Sequence, residues 1–239
     1  MDSSRRVSAV RARRRPTRAG VVLSTELIVD TVLRLIDGPA GDKLSVRRVG
    51  AALGADPTAI YRYFRSLDAI LLAVADRLIG EATAGFVPGP DLGASLRDLA
   101  GRIYRSMRAH PRLAQLRAHR FIAGPHELQV VDMGIGLLLR AGFAPADAVR
   151  HYRDFIDTAF ALAALDVSDV SPEQERADWE TWLDAARGLP AGDYPNVHAV
   201  RDQLPAMAES AFPGVLKMMI AVLEREAAER AGGAPAFSG

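Results

Sequence analysis

The chain has 239 residues, of which 49% are apolar, 25% are charged and none is cysteine. This composition excludes low-complexity disorder for most of the chain, and it excludes disulfides, thiolate metal sites and a cysteine nucleophile. No apolar run is longer than the seven residues of 159–165, which is far below the roughly 18 residues that span a bilayer. We expect a soluble protein of the reducing cytoplasm, without a membrane span or a secretory signal.

The formal net charge of +1 hides an uneven distribution of charged side chains. Residues 1–20 hold seven Arg and one Asp, residues 21–86 hold seven basic and eight acidic side chains, and the remainder holds sixteen basic against twenty acidic. A cationic end before a mildly acidic body predicts an N-terminal partner with dense negative charge, either nucleic acid or anionic lipid.

Apolar residues recur at three- and four-residue spacing through most of the chain, which predicts an all-α fold. The predicted helices are 24–38, 46–53, a short one from Pro57, one from Ser66 to about 85, 92–109, 112–121, 125–141, 145–165, 171–187, 196–211 and 213–230. The cluster Pro88-Gly89-Pro90 interrupts this series, and we place the boundary between two parts there.

Residues 45–64 have the features of a helix-turn-helix. Gly50 allows two short helices to cross closely, and Gly54 relieves the backbone in the tight turn. The inward positions are Val49, Leu53 and Ile60, and the outward ones are Arg47, Arg48, Thr58, Tyr61, Arg62 and Tyr63. A short capped helix with exposed amides suits the major groove of DNA, with Thr58 at base edges and Tyr61 and Arg62 on phosphates.

An arginine-rich arm precedes the first helix and includes Arg13, Arg14 and Arg15. We expect it to follow the DNA backbone or to enter the adjacent minor groove. Two plainer interpretations stay open from these residues alone. A helix pair with a glycine turn is a common packing corner, and a basic tail is often only a solvated one.

Residues 44–72 resemble the signature of the tetracycline-repressor family of bacterial transcription regulators. The resemblance is carried by the Gly54 turn, by Tyr61 and Phe64 in Tyr-x-x-Phe, and by Ser66 and Asp68 at the start of the next helix. It extends less specifically over 24–84. By position it implies Arg47 and Thr58 near bases, Tyr61 and Ser45 on phosphates, and Tyr63 at the DNA-facing end of the recognition helix.

Two positions in this segment depart from the family pattern. Leu67 stands where the family usually has a Lys that holds a phosphate, so either Arg65 substitutes or that contact is missing. Pro57 stands at the interface where many relatives carry a side chain able to hydrogen-bond a base. We therefore expect sequence recognition to depend on fewer base contacts.

The resemblance and the charge pattern together divide the chain. We expect a disordered basic arm at 1–20, a DNA-binding domain at 21–66, a connecting helix at 67–86, an effector-binding and dimerisation domain at 87–231, and a disordered tail at 232–239. The implied function is that of a cofactor-free homodimeric repressor. A small hydrophobic effector would release it from a palindromic DNA operator whose half-sites lie roughly 34–36 Å apart.

The last long helix has apolar residues around nearly its whole circumference, more than one face packed on a core can bury. A second subunit would cover the excess, in a two-fold interface with the helix from Pro145. The candidate dimer residues are Val149, Ile156, Phe160, Val215, Met219 and Val222. The alternative is a central core helix within one chain.

The effector cavity is expected among apolar and aromatic residues of the second part. The candidate wall comprises Ile103, Tyr104, Met107, Leu116, Met133, Leu137, Tyr152, Phe155, Trp179 and Trp182, with His119 and Asp157 as polar groups. Such a set is also typical of plain core. The two Trp residues share one face of a polar helix, where they either form a lid or anchor that helix.

Enzyme signatures fail on inspection. His126-Glu127 begins like a zinc-protease helix, but Val130 stands where the second histidine is needed. No phosphate loop or nucleophile elbow occurs, and we expect no metal. Two rivals stay open: a helical enzyme or ligand carrier whose basic start is incidental, and an architectural DNA-binding protein without an effector.

Overall fold

The computed structural model describes residues 22–36, 38, 43–111, 121–167 and 171–232. These residues are predominantly helical, which confirms the predicted all-α fold. The chain divides into two compact units, Met1–Val74 and Ala75–Gly239. Within the described ranges, no helix is long and apolar enough to cross a membrane.

The described part of the first unit contains three helices and the start of a fourth. Their bounds are α1 Thr25–Ile36, α2 Val46–Leu53, α3 Pro57–Ile60 and α4 Leu67–Ala82. The division between the units falls inside α4, so one continuous helix belongs to both. The most deeply buried side chains in the described part of the first unit are aliphatic, namely Ile28, Val32, Val49, Ile60, Ile70 and Val74.

Local chemistry fixes the turn between α2 and α3. The side chain of Ser45 caps α2 by accepting from the amide of Arg48 at 3.2 Å. Gly54 ends α2 in the left-handed region at φ 60°, which disfavours residues with a Cβ. A Cβ at Gly50 would lie 2.8 Å from the carbonyl oxygen of Ala55, so only glycine permits this close crossing.

The described part of the second unit has a core enclosed by four long helices. The bounds are the end of α4, α5 Leu92–Ala109, α6 Pro125–Arg140, α7 Pro145–Leu165, α8 Pro172–Arg187, α9 Pro195–Ala199, a 3-10 helix Leu204–Ala208 and α10 Phe212–Gly232. Helices α5, α6, α7 and α10 enclose one core whose deepest side chains include Leu99, Leu138, Phe155 and Ile220. Gly134 of α6 lets the ring of Tyr152 on α7 approach closely.

The helix predicted at 196–211 is wrong as a single element. The chain forms α9 and then the short 3-10 helix, because Pro205 cannot donate a backbone hydrogen bond inside a longer helix. Helix α4 ends at Ala82 and not near 85, since Gly85 takes φ 69° in the turn that follows. The arm at 1–20, most of the helix predicted at 112–121 and nearly all of the predicted tail lie outside the described residues.

Candidate nucleic-acid interface and a cavity in the second unit

Helix α3 begins with a compact hydrogen-bonded turn. One carboxylate oxygen of Asp56, Oδ1, accepts from the amide of Thr58 at 2.8 Å and from its hydroxyl at 2.6 Å. The amide of Ala59 donates to the carbonyl of Asp56 at 2.9 Å, and Pro57 has no N–H. The expectation of exposed amides at this end of α3 is therefore wrong for residues 57–59.

The residues after this turn divide between the core and the surface. Ile60 and Phe64 are buried, whereas Tyr61 is 52% exposed and Tyr63 is 38% exposed. The other described side chains predicted to contact DNA are at least partly exposed: Arg47, Thr58 and Arg62 are exposed, and Ser45, Arg48 and Pro57 are half-buried. A cationic and aromatic face therefore surrounds α3, as a DNA-binding surface requires.

Tyr63 has a second contact that the sequence did not reveal. Its hydroxyl donates to the carbonyl oxygen of Leu23 at 2.8 Å, so the ring is exposed while the hydroxyl is engaged. Leu23 is buried and lies two residues before the start of α1, close in sequence to the basic arm. Arg13, Arg14 and Arg15 themselves lie outside the described residues.

The start of α4 shows the consequence of the unusual Leu67. Ser66 accepts from the amide of Ala69 at 3.0 Å and so caps the helix. Leu67 is half-buried, and Arg65 is exposed two positions earlier. Arg65 is therefore an exposed cationic side chain beside the capped start of α4.

The second unit holds a cavity of about 770 Å³. Its walls are largely aliphatic and aromatic, with a few polar groups. The lining residues are Ile79, Ile103, Phe121, Ala123, Glu127, Leu128, Val130, Val131, Ile135, Val149, Tyr152, Arg153, Ile156, Asp157, Phe160 and Ala161. This volume suits a drug-sized ligand, and the wall composition suits an apolar one.

A buried carboxylate organises one wall of the cavity. Glu127 Oε2 accepts from the amides of Ile122 at 2.9 Å and Ala123 at 2.6 Å, and Ala123 takes the strained φ of 54°. Asp76 of α4 accepts from the amide of Glu127 at 2.9 Å and pairs with His126 Nδ1 at 2.8 Å. Asp76 thereby caps α6 from a distant part of the chain.

The outer rim of the cavity combines aromatic and charged groups. The guanidinium of Arg153 lies 5.7 Å from the ring centre of Phe121, and its Nε is 3.2 Å from Asp157 Oδ2. Phe121 is 78% exposed and Val149 is 54% exposed. This rim leaves apolar surface open to solvent.

The structure brings only part of the predicted effector set to this cavity. Ile103, Tyr152 and Asp157 line it, whereas Met107, Leu137 and Phe155 are buried and Met133 is partly buried in the surrounding core. Leu116 and His119 lie outside the described residues. Ile79, Glu127, Val130 and Arg153 were not predicted, and the Glu127 found in the failed zinc-protease pattern was their only sequence signal.

Tyr104 serves a different purpose from the one predicted. Its hydroxyl donates to Asp166 Oδ2 at 2.5 Å, and the hydroxyl of Ser210 donates to the same oxygen. The ring stacks on Phe212 at 4.0 Å, so Tyr104 joins α5 to the end of α7 and the start of α10. The hydrogen bond to Tyr104 also raises the pKa of the Arg108 guanidinium.

Trp179 and Trp182 stack on each other on α8, with ring centres 4.9 Å apart and planes 9° apart. Neither lines the cavity. Leu183 is the only buried residue of α8, and Trp182 is 42% exposed.

The predicted dimer residues separate into two groups. Val149, Ile156 and Phe160 of α7 line the cavity, and the latter two are buried within the chain. On α10, Val222 is 40% exposed, and Val215 and Met219 are half-buried. Met218, which was not predicted, is 63% exposed on the same helix.

A helix-turn-helix unit followed by a helical unit with an apolar cavity defines a ligand-responsive class of DNA-binding regulator. Residues 87–226 match the family described as tetracyclin repressor-like, C-terminal domain. The chain therefore belongs to the tetracycline-repressor family of transcriptional regulators, which is not a family of enzymes.

Several relatives agree with this assignment. An HTH-type transcriptional regulator of Saccharopolyspora erythraea is 27% identical over 75% of each chain. The HTH-type transcriptional repressor DrrR1 of Streptomyces coeruleorubidus is 28% identical over 57% of this chain and 51% of that protein. Among solved structures, the Streptomyces coelicolor protein ActR, in complex with actinorhodin, is similar with a TM-score of 0.79 and 24% identity, covering 87% of this chain and 98% of ActR.

Proposed function

We propose that this protein is a homodimeric repressor that a small hydrophobic effector releases from a palindromic DNA operator. The observation that carries the proposal is the coexistence of an exposed cationic and aromatic face around α3 with a large apolar cavity in the second unit. The first feature provides a DNA-binding surface, and the second provides a site for a signal.

The DNA-binding part of the proposal rests on complementary charge and shape. Arg47, Arg62 and Arg65 are exposed around α3, beside the exposed ring of Tyr61. These side chains suit phosphates, and Thr58 near the start of the helix suits a base edge. The basic arm adds seven Arg within residues 1–20, so binding should weaken steeply with salt.

The effector part rests on the cavity and on a relative. A space of about 770 Å³ with aliphatic walls favours a multi-ring apolar molecule, and Tyr152, Arg153 and Asp157 provide polar partners for its substituents. ActR was solved with actinorhodin bound. By analogy we propose actinorhodin as the first ligand to test on this cavity.

The dimer part rests on the outer face of α10. Met218 and Val222 are large apolar side chains exposed four residues apart, so they share one helix face. Val215 lies on the same side and is half-buried. A second copy of the chain would cover this stripe in a two-fold contact. In this arrangement Ile156 and Phe160 belong to the cavity wall and not to the interface.

Coupling between effector and DNA would use α4. Asp76 on this helix caps α6 at Glu127, and Glu127 lines the cavity. An effector that displaces the start of α6 would therefore shift α4, whose first half belongs to the DNA-binding unit. The effector can change DNA affinity only by its own preference between the two conformations.

A selection experiment tests the proposal. The full chain is incubated with a random-sequence duplex library, bound DNA is sequenced, and affinity for the enriched duplex is measured by fluorescence anisotropy over a salt series. We expect an inverted repeat, a stoichiometry of two chains per duplex by light scattering, and release on addition of actinorhodin as the first probe. Failure to retain any duplex at low salt would refute DNA binding.

A further inference from the structure

The geometry points to Thr58 as a hydrogen-bond acceptor that selects a base carrying an exocyclic amino group, adenine or cytosine, at one position of each half-site. This inference rests on the proposed function, because it requires α3 to enter the major groove. The position of Thr58 indicates that it can reach a base, and the direction of its hydrogen bond adds which bases it can recognise.

The hydrogen-bond donors of the first residues of α3 are already bonded within the chain. The amide and the hydroxyl of Thr58 both donate to Asp56 Oδ1, at 2.8 Å and 2.6 Å. The amide of Ala59 donates to the carbonyl of Asp56 at 2.9 Å. Pro57 contributes no N–H, so residues 57–59 present no backbone donor to a base.

The hydroxyl of Thr58 has a single hydrogen, and its direction is fixed by its partner. An ionised carboxylate only accepts hydrogen bonds, so at 2.6 Å the hydroxyl must be the donor. A hydrogen bond to a charged acceptor is roughly twice as strong as one between neutral groups. The remaining capacity of the exposed Thr58 oxygen is therefore to accept.

The bases differ in what they offer to such an acceptor. In the major groove, adenine presents its N6 amino group and cytosine its N4 amino group, whereas guanine and thymine present only acceptors and the thymine methyl group. The carboxylate of Asp56 beside Thr58 reinforces this preference, since it too favours a donor and disfavours the O6 of guanine or the O4 of thymine.

Two substitutions at Thr58 isolate the hydroxyl. Thr58→Val keeps the shape and removes both the donor and the acceptor, while Thr58→Ser keeps the hydroxyl and removes the methyl group. Thr58 is exposed, so neither change disturbs the core. The base preferences of the wild type and both variants are measured by selection from the random duplex library, which locates the position that Thr58→Val alters.

Modified bases then test the chemistry at that position. Replacing adenine by 2-aminopurine moves the amino group to the minor groove and keeps the pair with thymine, and replacing cytosine by pyrimidin-2-one deletes the amino group. We expect the wild type and Thr58→Ser to lose affinity by about fivefold or more, and Thr58→Val to change by less than about twofold.

Equal losses in the wild type and in Thr58→Val would overturn the inference, as would unchanged base preferences in Thr58→Val. Both outcomes presuppose binding to the selected duplex, so they are distinguishable from a failure of the proposed function, in which no duplex is bound at all. Circular dichroism and thermal unfolding of the three proteins show that the comparison is between folded chains.

Discussion

Asp76 and Glu127 are 51 positions apart in sequence, yet the carboxylate of the first accepts the backbone amide of the second at 2.9 Å. The same Asp76 carboxylate pairs with the His126 ring. It also lies so close to Gly124 that a Cβ at position 124 would collide with it. A side chain of α4 thus caps α6 at the point where α6 meets the cavity.

Replacing Asp76 by Asn should destabilise the second unit. The Asn side chain keeps one oxygen and presents an NH₂ group in place of the other, so one of the two α6 amides that Asp76 accepts, that of His126 or that of Glu127, faces a donor. We expect a loss of about 2 kcal/mol in the free energy of unfolding, measured by urea denaturation. Glu81→Gln, which removes an exposed ion pair with Arg77 on the same helix, should cost less than about 1 kcal/mol. Equal effects of the two changes would contradict the capping role.

Tyr63→Phe should weaken operator binding without altering the core. The change removes only the hydroxyl that holds Leu23 ahead of α1, so the arm loses a fixed point of attachment. We expect a threefold to tenfold rise in Kd, or about 0.5–1.5 kcal/mol. In a chain lacking residues 1–18 the same substitution should have no effect, and the deletion should lower the salt slope. A similar loss of DNA affinity in the full and shortened chains would show that Tyr63 does not act through the arm.

Arg62→Ala and Tyr61→Ala should weaken binding in different ways. Both side chains are exposed beside α3 and are proposed to contact phosphates, so both changes should reduce affinity for all duplexes alike. Removing the charge of Arg62 should also lower the slope of log K against log salt by about one, whereas removing neutral Tyr61 should leave that slope unchanged. A titration series at several salt concentrations distinguishes the two.

Ile135→Trp should fill the cavity. Ile135 lines the cavity on α6, and the larger side chain would occupy space otherwise open to a ligand. We expect weaker uptake of the apolar dye Nile red, with DNA affinity retained. Leu139→Trp is the matched control, because Leu139 is on the same helix, is 44% exposed and does not line the cavity. If dye uptake fell equally in both variants, the dye would not bind in the cavity.

Met218→Asp combined with Val222→Asp should dissociate the dimer. Both residues lie exposed on one face of α10, and a carboxylate at each would be desolvated in an apolar contact. We expect light scattering to give the mass of one chain. Ala228→Asp introduces the same type of charge at another exposed position of α10 and should leave the assembly intact. A dimer that survives the double substitution would exclude this face.

The first unit was predictable because its determinants are local. Ser45, Gly54 and Asp56 act within a few residues of themselves, as helix caps and a left-handed turn, so their spacing alone indicates the structure. The contact of Tyr63 with Leu23 was not predictable, since it joins positions 40 residues apart. Likewise, no local pattern indicates that the Thr58 hydroxyl is already engaged.

The cavity was predicted in kind but only partly in composition. Helix α7 is apolar on two sides, and periodicity cannot distinguish a side that faces a cavity from one that faces another chain. Ile156 and Phe160 were therefore assigned to a dimer interface, and they line the cavity instead. Tyr104 was assigned to the cavity, but its partners Asp166 and Ser210 are 62 and 106 positions away.

The stacked indoles of α8 have a practical consequence. The chain contains only two tryptophans, and both lie within one turn of the same helix, 4.9 Å apart. All tryptophan emission therefore originates at a single location outside the cavity lining. With an effector that does not absorb at the wavelengths of tryptophan excitation or emission, a change in that emission reports a rearrangement transmitted to α8, so the protein carries its own optical label for movement in the second unit.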